Sequence, residues 1–95
     1  MAKYKISNVA KEDLIRIHHY GVKRFGLKQA DKYFETFFVH FDLIAENPQS
    51  FESVDFIKPG YRRCPCGVDS IYYKMEEDVV EIMTIIGKQD PNQWI

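Results

Sequence analysis

Three groups of residues in this chain have the types and spacing to do chemistry. Cys64 and Cys66 stand on either side of Pro65, His18 and His19 are adjacent with His40 further on, and Arg62 and Arg63 are the only neighbouring pair of arginines. The cysteines invite a metal or redox reading. Zinc needs four donors, however, and the histidines lie on helices without the paired spacing that would complete a site. A disulfide between residues so close would be strained, so the two are read as small strand residues. No nucleophile motif accompanies His18 and His19, which leaves them as helix surface. The arginines are different. Successive residues of a strand point to opposite faces, so Arg62 and Arg63 cannot serve the same surface. Arg63 shares its face with Tyr61, and tyrosine with arginine is the composition of an interface anchor. Arg62 then falls to a solvated or ion-paired role, or the two roles are exchanged.

The elements that position these residues follow from periodicity. Tyr4 and Ile6 alternate with Lys3, Lys5 and Ser7, a short half-buried strand. Ser7 or Asn8 supplies an N-cap, and Glu12 and Asp13 place negative charge in the first turn of a helix from about Val9 to Arg24. Its core stripe is Ala10, Leu14, Ile17 and Phe25, with Gly21 between them. Ile15 and Val22 lie on another side. Gly26, able to adopt a left-handed conformation, ends this helix. A second runs from about Lys28 to Glu46 and stops at Asn47-Pro48. Ala30, Phe34, Phe37, Phe41, Ile44 and Ala45 form its stripe, widened by Tyr33 and Phe38. Gln49 to Ile57 has no period and is read as a loop anchored by Phe51 and Phe56. Lys58-Pro59-Gly60 signals a type II turn. Three strands follow, Tyr61 to Pro65, Val68 to Met75 and Val79 to Ile86, with Glu76-Glu77-Asp78 turning between the last two. Ile71, Tyr73 and Met75 share one face, leaving Ser70, Tyr72 and Lys74 opposite. The last strand is apolar on both, with Val80, Ile82 and Ile86 on one face and Val79, Met83 and Ile85 on the other, so a partner is expected to cover the outer one.

Composition bounds what such a fold does. Ninety-five residues make one domain, 1-95, and 45% hydrophobic with 15% aromatic residues supply an aromatic core. A net charge of -1 provides no surplus of cations for phosphate, which disfavours a binder of bare RNA or DNA. No signal-like or membrane-length apolar run is present, so a cytoplasmic location is expected. The fold class that results is α+β in two layers, β-α-α-β-β-β, with a helical hairpin on a mainly antiparallel sheet.

This order of elements, carrying Glu46-Asn47-Pro48, Lys58-Pro59-Gly60-Tyr61-Arg62-Arg63, Pro65, Gly67, Ile71-Tyr72-Tyr73 and Val80-Glu81-Ile82, resembles the ParE branch of the RelE/ParE toxin superfamily over nearly the whole chain. The resemblance implies the toxin of a type II toxin-antitoxin pair of the kind that stabilises plasmids. Its partner would be a ParD-like antitoxin whose C-terminal segment wraps it and through which the complex reaches promoter DNA. The free toxin would poison DNA gyrase and stop growth, as an inhibitor without catalytic residues, cofactor or metal. In the sister RelE branch, which cuts messenger RNA on the ribosome, two arginines are needed where this chain has Ser70 and Gln89. Cleavage requires cations to stabilise charge on the phosphate, and Lys88 alone remains. An endoribonuclease of that type, or a non-toxic relic that only binds antitoxin, are the alternatives.

The surface assigned to the target or to toxicity comprises Tyr61, Arg62, Arg63, Tyr72, Lys88, Gln89 and Trp94. Tyr72 is a contact or a flank of the core, and Trp94 a docked tail or an exposed anchor. The surface assigned to the antitoxin comprises Ile15, Val22, Phe38, Met83 and Ile85. For the first three, packing within the hairpin and a groove for a partner helix both remain open.

Overall fold

The computed structural model describes residues 3–87 of the chain. The elements run β1 (Tyr4–Ile6), α1 (Asn8–Phe25), α2 (Leu27–Glu46), β2 (Glu52–Ser53), β3 (Arg62–Cys66), β4 (Asp69–Glu76) and β5 (Val79–Ile86). The strands form one sheet in the order β1-β5-β4-β3-β2, with β1 parallel to β5 and the other neighbours antiparallel. The expected α+β arrangement is thus present, with one addition. Two residues of the expected loop, Glu52 and Ser53, pair with Arg63 and Arg62 as a short edge strand.

Ser7 joins the two layers. Its N–H donates to the Ile82 carbonyl at 2.9 Å, and its hydroxyl accepts from Ala10 N at 3.1 Å while donating to the Met83 carbonyl at 2.8 Å. One residue therefore ends β1, caps α1 and fixes both to β5. Asp13 does not act on the helix dipole as expected, because α1 begins at Asn8 and no acidic residue falls in its first turn. Its carboxylate instead accepts from Thr84 Oγ1 at 2.7 Å and from Ile85 N at 3.0 Å. The paired register of β1 with β5 stops at Ile82, and Asp13 satisfies the edge beyond it.

The helix-facing core holds Leu14, Phe37, Phe41, Ile44, Ile71 and Tyr73 among its buried residues. Its rings meet at angles: Tyr33 on Phe37 at 5.1 Å, Tyr4 on Phe41 at 5.4 Å and Phe38 on Phe41 at 5.4 Å between centroids. The chain turns between the helices at Gly26, whose φ of 91° and ψ of 162° lie outside the expected left-handed helical region in one that glycine alone enters readily. Phe25, expected in the core stripe, is 64% exposed at this turn.

Burial pushes the Tyr73 hydroxyl up to about 12, against the opposing pull of Arg62, and it donates to the Pro48 carbonyl at 2.7 Å. A tyrosine whose folded value is raised above the ordinary 10.0 loses protons sooner when unfolded. Its contribution to stability is present below that value and is lost as pH rises through the folded one. Burial and the Asp69 carboxylate push the Tyr33 hydroxyl up as well. Alkaline titration followed by tyrosinate absorbance should therefore show Tyr73 and Tyr33 ionising late and together with the loss of far-ultraviolet dichroism; early, reversible ionisation of all six tyrosines would contradict this.

Tyr72 lies opposite Thr84 but Tyr73 lies opposite Ile82, so Met83 is an extra residue bulging from β5. The bulge reverses the alternation, placing Ile85 with Val80 and Ile82 in the helix-side core and Ile86 on the outer face. The outer face is also covered in part by the chain itself. The segment after β2 folds back through Val54 N to Tyr61 O at 2.8 Å and Gly60 N to Asp55 Oδ1 at 2.7 Å. It lays Val54, Ile57 and Tyr61 on Tyr72 and Ile86. Val54 anchors this loop, and Phe56, expected to do so, is 79% exposed. Met75, expected on the buried face, is exposed near the β4–β5 turn.

Candidate functional site

The outer face of β3 presents Arg63. Its Nε donates to Ser70 Oγ at 2.9 Å, its Nη1 lies 3.3 Å from Glu52 Oε1, and its side chain is 36% exposed. Register places it directly across from Tyr72 on β4 and Glu52 on β2. Arg62, on the other face, donates from Nη1 to the Phe51 carbonyl at 2.6 Å and from Nη2 to Gln49 Oε1 at 3.0 Å. The two arginines divide as strand alternation requires: Arg62 ties down the chain leaving α2, and Arg63 faces outward.

Tyr61 and Tyr72, assigned to a contact surface from the sequence, are buried in the outer cluster. The loop that carries Tyr61 packs on Tyr72, so neither ring is itself an exposed anchor. Lys58 extends over the Tyr61 ring at 5.5 Å from its centroid, a cation–π contact at the rim. Ser70, where a ribonuclease would need arginine, is buried and holds the Arg63 Nε. Lys88, Gln89 and Trp94 lie outside the described residues.

Cys64 and Cys66 point into the helix-side core as buried free thiols. Burial pushes the Cys64 thiol up to about 11 and raises Cys66 as well. Both thiols are therefore protonated at neutral pH and poor nucleophiles. His40 Nδ1 approaches Cys66 Sγ at 3.6 Å, and among the described residues no group of three His, Cys, Asp or Glu could hold a metal ion.

The helical face offers a second surface. Ile15, His18, His19, Asp31 and Phe34 line an open groove of about 360 Å³ between α1 and α2. Across it His18 Nε2 meets Asp31 Oδ1 at 2.7 Å, and the His18 ring stands edge-on to Phe34. Of the residues assigned to the antitoxin, Ile15 is on this groove and 56% exposed; Val22 is half-buried, and half-buried Phe38 packs on Phe34. Met83 is half-buried on the opposite side of the sheet, and Ile85 is enclosed in the core because of the bulge. Those five residues do not form one surface. Leu27, one helical turn before Asp31 at the start of α2, is 61% exposed.

The site that results is a helical hairpin laid across a five-stranded sheet, with an open groove on the hairpin and Arg63 facing outward from β3. The chain belongs to the family described as ParE toxin of type II toxin-antitoxin system, parDE, whose model matches residues 4–90. It is 33% identical over 75 residues to Toxin ParE1 of Caulobacter vibrioides, covering 79% of this chain and 78% of that protein. It is 27% identical over 89 residues to Toxin ParE1 of Mycobacterium tuberculosis, covering 93% and 91%. The structure described as "Chromosomal ParDE TA system from P. aeruginosa" superposes with a TM-score of 0.82 at 18% identity, over 94% of this chain and 98% of that one, a likeness of fold. No helix among the described residues is long and apolar enough to cross a membrane.

Proposed function

We propose that this ParE-family toxin acts in the cytoplasm by binding DNA gyrase and blocking replication until a ParD-like antitoxin neutralises it, reaching promoter DNA only through that antitoxin. The observation that carries the reading is the setting of Arg63. A guanidinium aimed at a phosphate would need further cations beside it, whereas the carboxylate of Glu52 lies 3.3 Å away. That pairing repels phosphate and suits the mixed polar surface of a protein partner. The absence of arginine at Ser70 agrees, because RNA cleavage needs converging positive charge.

Expression of the protein alone should arrest growth, and co-expression with the product of the adjacent gene should restore it. Arg63→Ala should relieve the arrest while costing about 1 kcal/mol of stability, since its hydrogen bonds are partly exposed. Loss of folding in parallel with loss of toxicity would assign Arg63 a structural role only, and harmless growth under the wild-type sequence would point to a relic that binds antitoxin without poisoning the cell.

A further inference from the structure

Arg63 is held by two partners of different kinds. Ser70, which accepts from its Nε at 2.9 Å, is a buried neutral hydroxyl on β4 and fixes where the guanidinium points. Glu52, 3.3 Å from its Nη1, is a carboxylate on the two-residue edge strand, and its side chain is 58% exposed. The position of β2 is fixed without that ion pair. The strand pairs through its backbone with Arg62 and Arg63; just before it the Phe51 carbonyl accepts from Arg62 Nη1 at 2.6 Å, and just after it Val54 N donates to Tyr61 O at 2.8 Å.

The pattern recurs on the same face. Lys74 follows Tyr72 by two residues on β4, so it stands with Tyr72 on the outer side, and its Nζ lies 3.4 Å from Glu76 Oε2. Each cation is less exposed than the carboxylate that covers it. Arg63 lies opposite Tyr72, which makes Arg63 and Lys74 diagonal neighbours, a separation of about 7–8 Å that one acidic segment spans. An exposed ion pair contributes little, because water and salt screen it. Either carboxylate is therefore readily exchanged for another. The exchange also improves geometry: Glu52 meets the guanidinium through Nη1, whereas a carboxylate arriving from solvent can face its open edge with both oxygens.

We propose that Glu52 holds the place of a carboxylate of the target: an aspartate or glutamate on the target protein displaces Glu52 from Arg63, and Lys74 takes a second acidic group beside it. Glu52 is then a specificity-determining residue, since a surface without a carboxylate leaves the internal pair in place. The proposal rests on the reading of Arg63 as the target contact and adds the chemistry of what it contacts. A folded partner can make this exchange with one or two side chains. A nucleic acid, bound through many phosphates, needs a surplus of cations that two paired ones do not provide.

The test reads Arg63 directly. Its Nε–H resonance is followed by NMR while the protein is titrated with a blocked peptide of alternating glutamate and alanine, or with the same peptide carrying glutamine. The resonance should shift with the glutamate peptide and stay in place with the glutamine one. Glu52→Gln should tighten the glutamate peptide about threefold, the scale of one exposed ion pair. Glu12→Gln, the same charge change at an exposed position of α1, should leave it unaltered. Immobilised gyrase should likewise hold the Glu52→Gln protein about threefold more tightly, a gain that vanishes in the Arg63→Ala background. Equal response to the two peptides, response to neither, a larger shift with a single-stranded oligonucleotide, equal gains from Glu52→Gln and Glu12→Gln, or weaker gyrase binding by Glu52→Gln would overturn the proposal. If the peptide results hold while the wild-type protein fails to bind gyrase, the gyrase reading falls and the carboxylate site stands for another target.

Discussion

Phe37→Ala should cost about 3–5 kcal/mol, the largest loss expected from a single truncation in this protein. Phe37 is fully buried at the centre of the helix-side core. Its ring meets Tyr33 at 5.1 Å and Phe41 at 6.5 Å. Those neighbours are themselves fixed, Tyr33 by its hydroxyl contacts with β3 and β4 and Phe41 by the tilted Tyr4 ring and the edge-on Phe38 ring. The space left by the ring cannot collapse, and the cavity penalty adds to the lost transfer energy. Domains of this size have about 5–15 kcal/mol in all, so the variant should be partly unfolded at body temperature. The comparison is Phe56→Ala. Phe56 is exposed on the outer loop, and its removal should stay within about 0.5 kcal/mol. Urea denaturation of the two variants would expose an error in the placement of either ring if the costs were alike.

Gly67→Ala should be nearly as damaging, for a local reason. Gly67 turns the β3–β4 hairpin with φ of 61°, where a β-carbon costs about 1–2 kcal/mol. That carbon would also lie 2.5 Å from Tyr33 Cε1 and 2.7 Å from its hydroxyl oxygen. The ring would have to move, and with it the contacts its hydroxyl makes with Asp69 Oδ2 at 2.7 Å and the Cys66 carbonyl at 2.9 Å. Leaving those partly buried acceptors without their donor adds about 1 kcal/mol or more. The total should reach about 3 kcal/mol. In a Tyr33→Ala background the clash is gone, and the same glycine substitution should cost only the backbone part. A double-mutant cycle with coupling near zero would show that the ring and the turn are independent.

These two sites mark what the sequence made legible. Phe37 was readable because Ala30, Phe37, Phe41 and Ile44 repeat at helical spacing, and the same logic placed Ala10, Leu14 and Ile17. Strand alternation separated Arg62 from Arg63 correctly, since facing depends only on parity within one short strand. Parity failed in β5, because the bulge at Met83 inserts one residue with no compositional mark and exchanges the faces of Ile85 and Ile86. The role of Asp13 was hidden for another reason: its partners Thr84 and Ile85 are about seventy residues away along the chain, and local rules suggested the helix dipole instead. Tyr61 and Tyr72 were assigned to the surface because nothing periodic announces that the loop from Val54 to Tyr61 folds back over the sheet. The helical groove was half legible. Ile15 and Val22 stood out as apolar residues off the core stripe, but the exposure of Phe25 at the turn was obscured by assigning it to the core.

The division between helix face and sheet face organises the protein's proposed activity, with antitoxin on the hairpin and target at Arg63. Its most direct test is to incubate the purified protein with DNA gyrase, ATP and supercoiled plasmid, then trap and deproteinise the DNA. The account predicts linear, gyrase-cleaved plasmid in amounts that rise with the protein, fall with Arg63→Ala and vanish on addition of the antitoxin. Undisturbed supercoiling at a large molar excess, together with messenger RNA cut on translating ribosomes, would contradict it.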